Sequence, residues 1–150
     1  MNEFMKMAIE QAQIALKKEE VPIGAVIVKD GKVISRGFNK REKSKNALMH
    51  AEIVAINKAC KKLKDWRLEN CEMYVTLEPC PMCAGAILNA RISKVFYGAK
   101  DKTSNDNIFE TIVNSQRLNH NCEYQQLEEA ENECAKLLTT FFQAKRKNKK

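Results

Sequence analysis

The sequence predicts an α/β domain in which a mixed sheet of about five strands lies between two layers of helices. Three observations carry this reading. Apolar residues recur at helical spacing near both termini and in the middle of the chain, and short runs of β-formers fall between those stretches. Strands interleaved with helices favour a sheet covered on both faces, a three-layer α-β-α sandwich. The first two strands, however, are joined by Asp30 and Gly31 alone, a dipeptide suited to a tight hairpin, so the sheet cannot be purely parallel.

The elements follow in order. From about Glu3 to Lys18, Phe4, Ala8, Ala12 and Ala15 share one helical face, with Met5, Ile9 and Leu16 beside them. The stretch "GAVIVKDGKVISRG" supplies the hairpin, and a loop rich in Asn, Lys and Ser follows it. A second helix is expected from His50 to about Leu63, where Ile53, Ile56, Ala59 and Cys60 recur at helical spacing. "EMYVTL" (72–77) reads as a buried strand. The helix after it begins at Pro81, whose missing N–H costs nothing in a first turn, and runs to about Asn89. "KVFYG" is the next strand, a weaker helix spans Asp106 to Ser115, and "CEYQQL" is the last strand. A C-terminal helix starts near Glu128 with Ala130, Cys134, Leu137, Leu138 and Phe141 as its apolar stripe.

With 150 residues, no internal repeat and no linker, the whole chain 1–150 is expected to form one domain, ending in a basic tail at 145–150. No run of about 18 apolar residues exists, which argues against a membrane span. The N-terminus alternates polar and apolar residues too regularly for a signal peptide, so a cytoplasmic protein with reduced cysteines is expected. The 26 Lys and Arg against 19 acidic residues give +7, a weak indication of a polyanionic partner. On charge alone, the tail "KRKNKK" reads as a solvated end.

Chemistry concentrates in two short motifs. "HAE" (50–52) lies some thirty residues before "PCPMC" (79–83). Alone, a Cys-x-x-Cys pair can be a redox dithiol, half of a structural zinc knuckle or part of a catalytic centre, and a lone histidine is more often structural. Together, His50, Cys80 and Cys83 offer one imidazole and two thiolates, a soft donor set for zinc. His120 sits in a polar loop, and the remaining cysteines lack metal-type spacing. Three ligands without an obvious fourth favour a catalytic zinc over a closed structural one. Glu52, two residues beyond His50, could address a zinc-bound water from the first helical turn. The dithiol alternative leaves His50 and Glu52 without a role.

These residues resemble the zinc-dependent nucleobase deaminases of the cytidine/deoxycytidylate deaminase superfamily, with their H-x-E and P-C-x-x-C signature. Within it, "VPIGAV", "HAE", "DWRLENC", "YVTLEPCPMCAGAI" and "YGA" are most similar to the bacterial tRNA-specific adenosine deaminases, over nearly the whole chain. The resemblance implies a cytidine deaminase-like fold, a homodimer with the Pro81 helix near its interface, and one zinc ion per subunit held by His50, Cys80 and Cys83. It implies hydrolytic conversion of adenosine to inosine at the wobble position of a tRNA anticodon loop, that of an arginine tRNA, with Glu52 moving protons. Asn39 matches the family asparagine that hydrogen-bonds the purine, although by sequence alone it reads as a turn residue. Phe142 and Arg146 become candidates for stacking on bases and pairing with phosphates, whereas for Phe141 core packing competes. One segment departs. Relatives carry glycine and serine after "YGA", but this chain has no glycine from Lys100 to Thr111, so RNA contacts there are expected to differ.

Overall fold

The computed structural model describes residues 1–102, 107–115 and 120–148, the side chain of Asn148 excepted. Helix α1 (Glu3–Lys17) is capped by Asn2, whose side-chain oxygen accepts the N–H groups of Phe4 and Met5 at 2.8 and 3.0 Å. The hairpin is β1 (Gly24–Lys29) and β2 (Lys32–Phe38), and both Asp30 (φ 53°) and Gly31 (φ 75°) take left-handed backbone. That pair of positive angles is what a two-residue turn matching the strand twist requires. There follow α2 (Arg41–Ser44), α3 (Ala51–Leu63), β3 (Cys71–Leu77), α4 (Pro81–Asn89) and β4 (Lys94–Ala99). After these come α5 (Ile108–Val113), β5 (Glu123–Gln126), one 3-10 turn (Glu128–Ala130) and α6 (Glu131–Asn148).

The five strands form one sheet in the order β2-β1-β3-β4-β5. β1 pairs antiparallel with both β2 and β3, and β3, β4 and β5 run parallel. The expected five-stranded mixed sheet is therefore present, with α4 as the crossover between β3 and β4. Helices cover both faces. On one, α1 and α6 close over Val26, Val28 and Tyr74. On the other, α3, α4 and α5 close over Ile27, Met73, Val75 and Val95, which strand alternation points the opposite way. Ile27, Met73, Ile87 and Val95 are wholly buried, each stabilising the fold by about 1.5–3 kcal/mol relative to exposure.

Three local differences from the sequence reading have physical reasons. In α1 the innermost residues are Met5, Ala8, Ile9, Ala12 and Ala15, while Phe4 sits at the rim with its ring 5.3 Å from that of Tyr74. The loop after β2 contains a helical turn, α2, which has no buried residue of its own and no apolar periodicity to reveal it. The fifth helix is shorter than Asp106–Ser115, and Asp106 lies outside the described residues.

Two glycines bring helices close to the sheet. A Cβ on Gly24 would collide with the Ala8 carbonyl, and one on Gly37 would stand 2.6 Å from the Ala51 carbonyl and 2.7 Å from the Ala55 nitrogen. Gly37 thus sets the height of α3, the helix that follows His50. Gly37→Ala is expected to destabilise the fold by about 1–3 kcal/mol through this overlap. Denaturant unfolding checks it, and an unchanged midpoint would show that α3 can move aside freely.

Candidate metal centre and active site

His50 and Cys80 occupy equivalent local positions. Each is the extended residue just before a helix, with φ −71° and ψ 158° at His50 and φ −71° and ψ 170° at Cys80. Neither side chain caps its own helix. Both are turned instead toward a common point, where Cys83 arrives from the first turn of α4. The residue three places into a helix naturally approaches the one that precedes it, which is why this Cys-x-x-Cys spacing converges when Pro81 starts the helix. His50 Nδ1 lies 3.6 Å from the sulfur of Cys80 and 3.6 Å from that of Cys83. The three ligand atoms fall within 4.8 Å of one another, and this is a group that could hold a metal ion.

Electrostatics follow from the crowding of these groups. A hydrogen bond from the Cys83 thiol, with a further one from His50, pulls Cys80 down to about 4 against the opposing effect of burial. The same Cys80–Cys83 bond, together with burial, pushes Cys83 up. His50 is raised chiefly by its contact with Cys80. Between the protein groups alone, one sulfur is thus a thiolate and its neighbour keeps the proton. A cation is what would allow both to ionise.

Glu52 is buried, 4% exposed, in the first turn of α3. Burial raises its carboxyl to about 7, and Cys80 adds to this. Its carboxyl also engages Cys83, so it stands beside the cluster and not in solvent. Asn39 is buried as well. Its Oδ1 accepts the Arg41 N–H at 3.1 Å, and the next residue, Lys40, donates its N–H to the Met49 carbonyl at 3.0 Å. That backbone bond sets the Asn39 segment against the residue preceding His50.

The remaining sequence candidates lie elsewhere. Phe142 and Arg146 are exposed on α6, Phe142 at 47%, while Phe141 is buried at the edge of the α1–α6 layer. A groove of about 710 Å³ runs between this end of α6 and the turn α2, with Phe141 and Lys145 on one side and Lys18 and Lys43 on the other. Lys18 and Lys43 also border a smaller hollow that reaches Phe38 and Lys40, on either side of Asn39. His120 is not a ligand: its Nε2 lies 2.8 Å from the Ile92 carbonyl. All six cysteines are free.

Two buried carboxylates escaped the sequence reading. Glu20 accepts the N–H groups of Glu42 and Lys43 at 3.0 and 2.9 Å. Glu78, just before the cysteine motif, accepts the Asp101 N–H at 3.2 Å, and its Oε2 is a buried oxygen without a hydrogen-bond partner among the described residues. A Glu-Glu pair ending a helix and a Glu beside a proline both resemble solvated positions, so neither carried a signal. In the glycine-free segment, Asn107 takes left-handed backbone (φ 46°) at the start of α5, a conformation that Asn tolerates in place of glycine. Residues 103–106 lie outside the described ones.

Comparison with known proteins agrees with this geometry. Residues 1–146 match the model of the MafB19-like deaminases. The chain is 46% identical to the tRNA-specific adenosine deaminase of Bacillus subtilis (strain 168), across 98% of this chain and 91% of that protein. It is 44% identical to that of Aquifex aeolicus (strain VF5), across 97% and 95%. Among solved structures, it resembles one from a study of A-to-I editing by tRNA deaminases at the wobble position (TM-score 0.81, 40% identity, 90% of this chain and 98% of that one). It is less similar in shape to a guanine deaminase from Bacillus subtilis (TM-score 0.65, 35% identity, 98% and 95%). With the same fold, a His/Cys/Cys cluster beside a buried glutamate, and such identity over nearly its full length, the chain belongs to the family of tRNA-specific adenosine deaminases.

Proposed function

We propose that this protein hydrolytically deaminates adenosine to inosine at the wobble position of a tRNA anticodon loop, an arginine tRNA by its family resemblance, using one zinc ion per subunit. The observation that carries the reading is the buried Glu52 carboxyl beside the His50, Cys80 and Cys83 cluster, in a chain 46% identical to a tRNA-specific adenosine deaminase. The donor set fits zinc. Metal–nitrogen bonds of about 2.0–2.1 Å and metal–sulfur bonds of about 2.3 Å place nitrogen and sulfur about 3.5 Å apart in a tetrahedron. The two His50–sulfur distances of 3.6 Å agree with that edge. Once bound, zinc lowers the pKa of a water toward neutrality.

The protein's own groups supply the rest. Glu52, held near neutral pH by burial, accepts a proton from the attacking water and returns it to N1 of the purine as oxygen adds at C6. It then carries the remaining hydroxyl proton from oxygen to the 6-amino group; the C6–N6 bond breaks as the C6 carbonyl forms, so that adenosine and water give inosine and ammonia. With Oδ1 engaged by Arg41, the Asn39 amide has its Nδ2 donors to offer the base. The groove, where Lys18, Lys43 and Lys145 accompany Glu19 and Glu42, and the exposed Phe142 and Arg146 elsewhere on α6 supply cations for the RNA backbone and a ring on which a base can stack. A single deaminase domain over 1–150, a homodimer and action in the cytoplasm complete the reading. No helix among the described residues is long and apolar enough to cross a membrane.

An anticodon stem-loop with adenosine at the wobble position, compared with free adenosine, guanine and cytosine, tests the proposal. Inosine is expected in the RNA and no turnover of the free compounds. Conversion of free guanine with no action on the stem-loop would assign the protein to free-base chemistry instead.

A further inference from the structure

The turn α2 has an unusual source of support. Its first three N–H groups have no partner within a helix of four residues and must be satisfied from outside. Lys40, the residue before the helix, has no acceptor in its side chain and makes no capping bond. Asn39 Oδ1 takes the Arg41 N–H, and the Glu20 oxygens take those of Glu42 and Lys43. Glu20 is itself 1% exposed and is fixed at the end of α1 by its own N–H, which donates to the Ala15 carbonyl at 2.9 Å. A carboxylate buried this fully costs free energy unless it is well paired, and two backbone donors at a helix start are its pairing.

We propose that Glu20 is the positioning residue for Asn39, holding α2 so that the Asn39 amide stays oriented for the purine. The inference rests on the reading that Asn39 binds the base. Without Glu20, two orphan N–H groups stand within one turn of Asn39, whose Oδ1 already bonds the N–H group next to them, that of Arg41. Asn39 Oδ1, which bonds only the first N–H of α2, would turn toward the two left open, or α2 would fray. Either outcome moves the Nδ2 donors, while His50, Cys80 and Cys83 stay anchored on α3 and α4.

A double-mutant cycle on the zinc-loaded protein tests this. Glu20→Ala is expected to lower kcat/KM on the stem-loop by about 10-fold with zinc content unchanged. In an Asn39→Ala background it is expected to change kcat/KM less than about 2-fold, because its route of action is gone. Equal losses in both backgrounds, or no loss in the first, would overturn the proposal. Glu20→Gln, which keeps one acceptor, is expected to lie between wild type and Ala, and serves if Ala does not fold. A second readout does not depend on turnover: the Asn39 side-chain NH2 resonances should shift in Glu20→Ala but not in the exposed control Glu10→Ala. Unshifted resonances would refute the positioning role. A wild-type protein that makes no inosine would refute the functional reading, leaving the NMR comparison to decide on Glu20.

Discussion

Glu52→Gln is expected to keep zinc and lose deamination by about 10²–10⁴-fold, the range spanned by removal of a positioned proton-transfer group. Gln is nearly isosteric, so the space beside Cys83 stays filled, but it can neither accept the water's proton nor release one to the purine. The fold should not suffer. A carboxyl raised to about 7 by burial destabilises the folded metal-free protein once pH exceeds its unfolded value near 4.5. The amide removes that cost above neutral pH, so the metal-free variant should melt no lower than wild type at pH 8. Metal analysis, stem-loop assay and a thermal melt check the three parts. Zinc retained with activity intact would remove Glu52 from the chemistry, and zinc lost would make it a structural support of the cluster.

The same residues show how far the sequence alone could carry the reading. Pro81 announced the start of α4, and with it the convergence of Cys80 and Cys83, because local geometry decides both. Asp30 and Gly31 announced the hairpin for the same reason. What stayed hidden depends on partners distant in sequence. The placement of β1 between β2 and β3 follows from packing, since period-2 alternation looks alike in every strand order. Two of the three free N–H groups of the turn α2 are taken by Glu20, more than twenty residues upstream, and a propensity scan of "REKS" contains nothing of that. Burial separates Asn39 from an ordinary turn residue, and burial is a property of the folded chain. Helical spacing, by contrast, placed Phe141 on the apolar stripe of α6 and left Phe142 off it, and the structure buries the first and exposes the second.

Removal of zinc by a chelator is expected to abolish activity and yet leave the protein folded, which separates this centre from a structural knuckle. In a zinc finger the metal is the core, and the metal-free chain unfolds. Here two apolar layers pack on a five-stranded sheet without help from the cluster. The loss should appear as a lower Tm. At free zinc of about 100 times its dissociation constant, linkage is worth ~2.7 kcal/mol, or roughly 5–10 °C for a chain of this size. The exposed consequence is at Cys80, which is half-buried and held at about 4. Its thiolate is present above that value, so alkylation of Cys80 in metal-free protein should be nearly flat from pH 5 to 8, whereas an ordinary thiol gains about tenfold per pH unit there. Cys122 and Cys134, buried and pushed up to about 12, should react slowly throughout. Readded zinc should protect Cys80 and restore inosine formation together. Loss of circular dichroism on chelation would show instead that the ion holds the fold, and inosine formation surviving complete removal of the metal would take zinc out of the reaction.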